Sequence, residues 1–308
     1  MSISERTETF FGRTVHDWRP GQPLPEGRDL VWRLSLDYDA GTTMAELLDG
    51  FLAAVDPSGV EALVIGAWEE AYETSPNDAL RLLSERAAEL PALKALFVGD
   101  MTYEECEVSW IIQGDYTALL AAFPQLQVLR IRGTNSLTLP AFSHPALRQL
   151  VIEGGGLPAS IADALSRSSL PALEHLELWL GTSEYGFEGD AELYRRVLAQ
   201  LRTPQLRYLG LRDSEIADEL AQWLAGEAWI EQLHTLDLSL GTIGDAGAQA
   251  LCASPHVRRL ARLDLSHHYI SAAWQANLQA LGPEVVLDDE QTADEYDGQA
   301  YRYVAVGE

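Results

Sequence analysis

Leucine and isoleucine recur along residues 206–270 in one arrangement, L-x-x-L-x-L-x-x-x-x-I. It is met by Leu206, Leu209, Leu211 and Ile216, by Leu233, Leu236, Leu238 and Ile243, and by Leu260, Leu263, Leu265 and Ile270. Side chains two apart share one face of a strand, so the closely spaced leucines of each unit predict a short strand with its apolar face turned inward. The apolar spacing then lengthens to that of a helix. Strand-like stretches of the same kind begin at Val31, Val60, Leu93, Leu126, Leu147 and Leu173. Thr42 or Thr43 can cap a helix carrying Met44, Leu47, Leu48, Phe51 and Leu52. A second helix is predicted over about residues 78–90, with Leu80, Leu83 and Ala87 on one face. A last strand is expected around Val285 and Leu287.

A strand and a helix repeated at about 27 to 29 residues is the signature of a leucine-rich repeat. The fold class is therefore α/β, a horseshoe-shaped leucine-rich-repeat solenoid with a parallel concave sheet and outer helices. Strands pack about 4.8 Å apart and helices about 10 Å, so the helices must take the outer arc. Residues 1–27 do not fit the repeat and are assigned to an N-terminal cap, since an open solenoid end needs cover. Phe10, Phe11, Val15 and Trp18 supply its apolar groups, and Pro20, Pro23, Pro25 and Gly27 punctuate it. Residues 28–288 form the repeat domain, about nine repeats and a closing strand. Residues 289–308 form an acidic tail, expected to be loosely ordered. Its last residues, YRYVAVGE, alternate as a short strand or a docking peptide would. Gaps longer than the repeat mark insertions, above all MTYEECEVSWIIQGD at 101–115 and TSEYGFEGD at 182–190.

The slot that often holds an asparagine in such repeats carries Thr134, Gly155, Gly181, Ser214, Gly241 and His268. Turn backbones must then find other partners, and His268 is expected to bond backbone. The net charge is −26, from 47 acidic and 21 basic residues, with Lys94 the only lysine. Such a field disfavours nucleic acid and anionic lipid, which need clustered positive charge. It favours solubility or a basic partner. No apolar run is long enough to span a membrane, and Met1 to Phe10 lacks the apolar core of a secretory signal. Cys106 and Cys252 make no disulfide framework and read as free thiols of a cytoplasmic protein.

GDMTYEECEVSWIIQGD (99–115), LELWLGTSEYG (176–186), LDLSLGT (236–242) and the terminal RYVAVGE resemble a bacterial leucine-rich-repeat family of unassigned biochemical function. The resemblance covers nearly the whole chain, and its repeats are similar to the ribonuclease-inhibitor type. Members encoded beside radical-SAM, ATP-grasp and phosphatase-like enzymes imply an accessory role in a biosynthetic pathway. The resemblance brings no catalytic residue with it.

Two surfaces are candidates for binding. On the concave face the repeat register clusters Phe97, Arg130, Arg132, Trp179, Tyr208 and Arg212 with His175. Arg, Trp and Tyr are the types enriched at interface hot spots. The alternative is that Arg130, Arg132 and Arg212 pair with Glu153 and Glu177 across strands. The second surface is the loop edge after the strands, which gathers Trp68, Glu69, Glu70, Tyr72, Tyr103, Glu104, Glu105, Trp110, Glu184 and Tyr185. Aromatics among carboxylates suit a cationic peptide; the alternative is that long loops pack on their own aromatics. No phosphate loop or nucleophile elbow occurs, and acidic neighbours raise the Cys106 thiol pKa. The expectation is a non-enzymatic module that binds a protein or peptide, a basic one included, with no cofactor and no metal. The rival is an enzyme or metal-dependent subunit using Glu104, Glu105 and Glu107 of the acidic edge.

Overall fold

In a computed structural model, which describes residues 3–23, 30–201 and 203–307, the chain forms an open α/β solenoid. Pro25, Gly27 and the expected boundary between residues 27 and 28 lie outside the described residues. In chain order the elements are β1 (Thr9–Phe10), β2 (Arg13–Asp17), β3 (Leu30–Leu34), α1 (Met44–Ala54), β4 (Ala62–Ile65), α2 (Asn77–Glu85), β5 (Ala95–Val98) and α3 (Thr117–Ala122). There follow β6 (Val128–Arg132), β7 (Gln149–Glu153), α4 (Ala159–Ser166), β8 (His175–Gly181), α5 (Ala191–Leu201), β9 (Tyr208–Ser214), α6 (Ala217–Ala225) and β10 (Thr235–Asp237). The chain closes with α7 (Asp245–Ala253), β11 (Arg262–Asp264), α8 (Ala272–Gln279), β12 (Glu284–Val286), β13 (Asp294–Tyr296) and β14 (Gln299–Tyr301).

The first twelve strands make one sheet in sequence order, parallel throughout except for the β1–β2 pair. The register is that of the repeat: Leu209 pairs with Leu236, and Leu236 with Leu263. These leucines are fully buried and belong to one continuous core running from Trp18 to Leu281. Each contributes roughly 1.5–3 kcal/mol by leaving water. Thr43 caps α1 in the expected way, its hydroxyl accepting from Glu46 N–H while the Glu46 carboxylate accepts from Thr43 N–H. No helix separates β6 from β7, which accounts for the short 21-residue step between Leu126 and Leu147. No helix among the described residues is long and apolar enough to cross a membrane.

The first repeat sits two residues from its expected register. Counting from Val31, the repeat pattern sets Ser35 opposite Val64, but Arg33 pairs with Val64 instead. A slip of two keeps every side chain on its own face, so the alternation of VWRLSL alone does not decide it. Long-range charge does: Arg33 Nε donates to Asp17 (2.6 Å) and its Nη1 to Asp100 (2.8 Å).

The turn slots find individual substitutes for an asparagine ladder. The Thr134 hydroxyl donates to Gly156 O (2.7 Å), and His268, fully buried, accepts from Ile270 N–H (3.1 Å). At the ends of β7 and β8 the backbones approach closely. Gly181 has φ +69°, and a Cβ there would lie 1.7 Å from Gly155 O, so only glycine fits.

Both terminal segments fold back over the sheet. Phe10 packs on Phe97 (ring centroids 6.0 Å) and joins Val31, Val64 and Val128 in a second apolar cluster. The region expected to cap the solenoid thus adds two strands and covers part of the concave face. The acidic tail, expected to be loosely ordered, forms the exposed β13–β14 hairpin, and Val304, Ala305 and Val306 are then buried. Ala305 and Val306 pack with Val108 and Trp179.

Candidate functional site

Arg130 and Arg132 both rise from β6, where Arg132 pairs with Glu153 on β7 and Arg130 pairs with Val151, itself the neighbour of Glu177 on β8. The register therefore sets Glu153 directly beside Arg132 and diagonal to Arg130. Glu153, fully buried, accepts from Arg130 Nε (2.5 Å) and Arg132 Nε (2.7 Å). Burial alone would push its carboxyl up, but the two guanidinium groups hold it below the usual range. Arg132 also donates to Met101 O (2.7 Å) and faces Asp100 at 3.6 Å. Phe97 lies beneath both arginines, 4.4 Å from Arg130 and 5.2 Å from Arg132.

A second network follows on β8 to β10. Glu177 accepts from Arg212 Nη1 (2.8 Å) and from Trp179 Nε1 (2.8 Å), with His175 Nε2 at 3.3 Å. Burial opposes its ionisation, yet these partners hold it at about 2. Arg212 also reaches Ser239 Oγ (3.0 Å) and Asp237 (3.4 Å). The Tyr208 hydroxyl donates to Asp237 (2.6 Å), and its ring stacks on His175 at 3.9 Å. Burial first, then Glu177 and Asp237, push that phenol up.

Of the concave residues expected to bind, Phe97, Arg132 and Trp179 are buried, at 0%, 4% and 7% exposure. Trp179 is covered by the tail. Arg130, Tyr208 and Arg212 are half-buried, and both of those arginines are engaged by carboxylates of their own sheet. The cross-strand pairing weighed as the alternative is what the structure contains.

The loop edge is different. Leu36–Tyr38, Ala67–Tyr72 and Glu104–Glu105 enclose a cleft of about 460 Å³. Trp68 forms its floor, buried and held by its Nε1 donating to Thr74 O (3.0 Å). Tyr38 (99% exposed) and Tyr72 (46%) stand free at its walls. Glu69 accepts from Met44 N–H, Asp37 pairs with Arg19, and Glu105 pairs with Arg6. Glu70 and Glu104 are exposed and have no cationic partner among the described residues. Burial first, then the charges of Glu73, Tyr38 and Glu70, push the Tyr72 phenol up.

Tyr103 (42% exposed) faces a separate cavity of about 400 Å³, bounded by Met101, Cys106, Arg132 and Val304–Gly307. Tyr185 stands apart from both sites, its backbone pressed on Gly156. Glu105 is occupied by Arg6, and among the described residues no three His, Cys, Asp or Glu side chains gather as a metal-holding group. Burial, then Glu107, pushes the Cys106 thiol up to about 11.

Sequence reasoning missed Asp213. It is fully buried at φ +52°. Its Oδ1 accepts from Val306 N–H (2.9 Å), and its Oδ2 is buried without a partner. Burial pushes the carboxyl up to about 8 against the pull of those tail amides. An acidic residue directly after Arg212 on a strand faces the core side, and that misplaced polarity was the available signal.

No family model matches the chain, and no curated protein matches it. A crystal structure of a protein from Bacteroides fragilis is similar, at 30% sequence identity and a TM-score of 0.80, over 89% of this chain and 76% of that one.

Proposed function

We propose that this chain, which belongs to the same family as that Bacteroides fragilis protein, is a non-enzymatic recognition module that takes a basic segment of a partner protein at its loop edge. The observation that carries this is a contrast between two surfaces. The concave arginines are already neutralised by Glu153 and Glu177, whereas the cleft at Tyr38 and Tyr72 leaves aromatic faces and the Glu70 and Glu104 carboxylates open to solvent. A guanidinium or ammonium group gains both cation–π and charge-assisted contacts there. The net charge of −26 draws such a partner in from a distance. Insertions of a repeat protein commonly form its binding face.

Ribonuclease-inhibitor-like repeats, an accessory role in a bacterial pathway and a cytoplasmic location belong to the same proposal. They are supported by the resemblance of the repeat and insertion motifs and by the two free thiols.

The test is capture of partners from native lysate by the purified chain, by a Tyr72→Ala/Glu104→Ala variant and by a Trp179→Ala/Arg212→Ala variant. The expected result is a basic partner lost only with the first variant and weakened by salt. A partner kept by the first and lost by the second would move the site to the concave face and overturn the reading.

A further inference from the structure

The end of the chain lies in a groove built to hold it. Residues 302–306 pass across the ends of successive strands. Tyr303 N–H donates to the Tyr269 hydroxyl (2.8 Å), which in turn donates to Tyr303 O (2.9 Å). Ala305 N–H donates to Leu240 O (2.7 Å) and Val306 N–H to Asp213 Oδ1 (2.9 Å). Arg302 reaches Asp218 (3.0 Å) and Thr242 O (3.1 Å) and lies over the Tyr269 ring at 5.7 Å. It fits there because Gly244 is bare; a Cβ at that position would sit 2.3 Å from the guanidinium. Ala305 and Val306 fill an apolar recess at Trp179 and Val108. Five extended residues reach about 17 Å, enough for the three strand spacings of about 4.8 Å from β11 to β8.

Three kinds of contact therefore read one short segment: an arginine socket, a backbone clamp and a recess for small apolar side chains. This is how strand-like peptides are recognised, with backbone bonds for affinity and alternate side chains for specificity. The segment joins the sheet only through the β13–β14 hairpin, all six of whose residues are exposed.

We infer that this strand-end groove is a docking site for an extended segment of a partner protein carrying an arginine three residues before a small-apolar pair, and that the chain's own Arg302–Val306 occupies it as a displaceable pseudo-ligand. The occupant's chemistry is read from the tail that fills the groove, and the Asp218 carboxylate supplies the charge complement for its arginine. The Asp213 carboxyl, buried with one oxygen unpartnered, is the group that marks the groove as built rather than incidental. The groove is separate from the cleft at Tyr38 and Tyr72, so either can fail alone.

The probe is a fluorescent peptide of the tail's own sequence, Tyr-Arg-Tyr-Val-Ala-Val-Gly, titrated with the full-length chain and followed by polarisation. A tethered occupant competes at an effective concentration in the millimolar range, so the unchanged chain should bind weakly. Ala305→Pro removes the N–H that Leu240 accepts and should raise peptide affinity at least tenfold. Arg302→Ala, at a more exposed position, should do the same to a smaller degree and guards against a folding defect in the first variant. A peptide carrying proline at the Ala305 position should not bind either variant. Equal or absent binding in both variants overturns the proposal. A dimer of the unchanged chain that dissociates on Ala305→Pro also overturns it, by assigning the groove to the tail of a second copy.

Discussion

Glu177 is the hub of the concave network, and Glu177→Gln tests it quantitatively. The carboxyl falls from an ordinary value of 4.5 to about 2 because His175, Arg212 and Trp179 favour its ionised form against the cost of burial. At about 1.4 kcal/mol per unit, that difference stabilises the fold by about 3 kcal/mol at neutral pH. The sign follows from the lowered value: the contribution is present above the unfolded-state value and is lost as pH falls through the folded one. At pH 2 most of it is gone. Glutamine keeps the shape and one acceptor but not the charge, leaving Asp237 as the carboxylate that faces Arg212. Unfolding entropy of about 2.1 cal/mol/K per residue makes 3 kcal/mol worth about 5 °C in Tm for a chain of this length. Urea unfolding followed by circular dichroism, on parent and variant at pH 7, 4 and 2, measures the gap directly. A gap of about 3 kcal/mol at pH 7 that closes by pH 2 agrees with the geometry. A gap that is absent at pH 7, or constant across the three, refutes the assignment of Glu177 as an ionised hub.

Leu236→Asp places a charge at a fully buried position bonded in register on both sides; it should cost more than about 4 kcal/mol, and an unchanged melting curve would refute the register. Gly181→Ala should lower Tm by several degrees, since a Cβ collides with Gly155 O at a positive φ, and an alanine variant of parental stability would show that the β7–β8 approach is looser than described. Asp213 is the opposite case to Glu177: its raised value of about 8 means that its contribution is present below about pH 4 and lost as pH rises through about 8. Asp213→Asn should therefore be less sensitive to alkali than the parent, and identical unfolding curves from pH 5 to 9 would count against its burial.

How much of this was legible depended on range. The repeat was legible because its leucines act through neighbours, as Leu209, Leu236 and Leu263 do. The first register was not, because VWRLSL supports two frames of equal parity and Asp17 and Asp100, far away in sequence, choose between them. The alignment of the concave face was legible from the second repeat onward, as the pairing of Val64 with Phe97, of Phe97 with Arg130 and of Trp179 with Arg212 shows. Their exposure was not legible. Phe97 is covered by Phe10, and Trp179 by Ala305 and Val306, contacts that no local pattern encodes. Nor does any local pattern show that Thr134, Ser109 and Tyr185 crowd the Gly154–Gly156 backbone from other repeats or loops.

A repeat array ordinarily behaves as a row of units, each sensing only its neighbours, so that the row frays from its two ends. The folded-back segments change that connectivity. Ile3 O is held by Tyr103 N–H, Thr7 N–H donates to Asp100, and Ala305 and Val306 bond Leu240 and Asp213 near the middle of the row. Each extremity is thus anchored several rungs inward. An outer rung cannot melt alone without straining a bond to an inner one, and a lesion at the centre is felt at both extremities. The ladder should accordingly lose its rungs together, with amide exchange in β3, β7 and β11 sharing one opening free energy rather than grading from edge to centre.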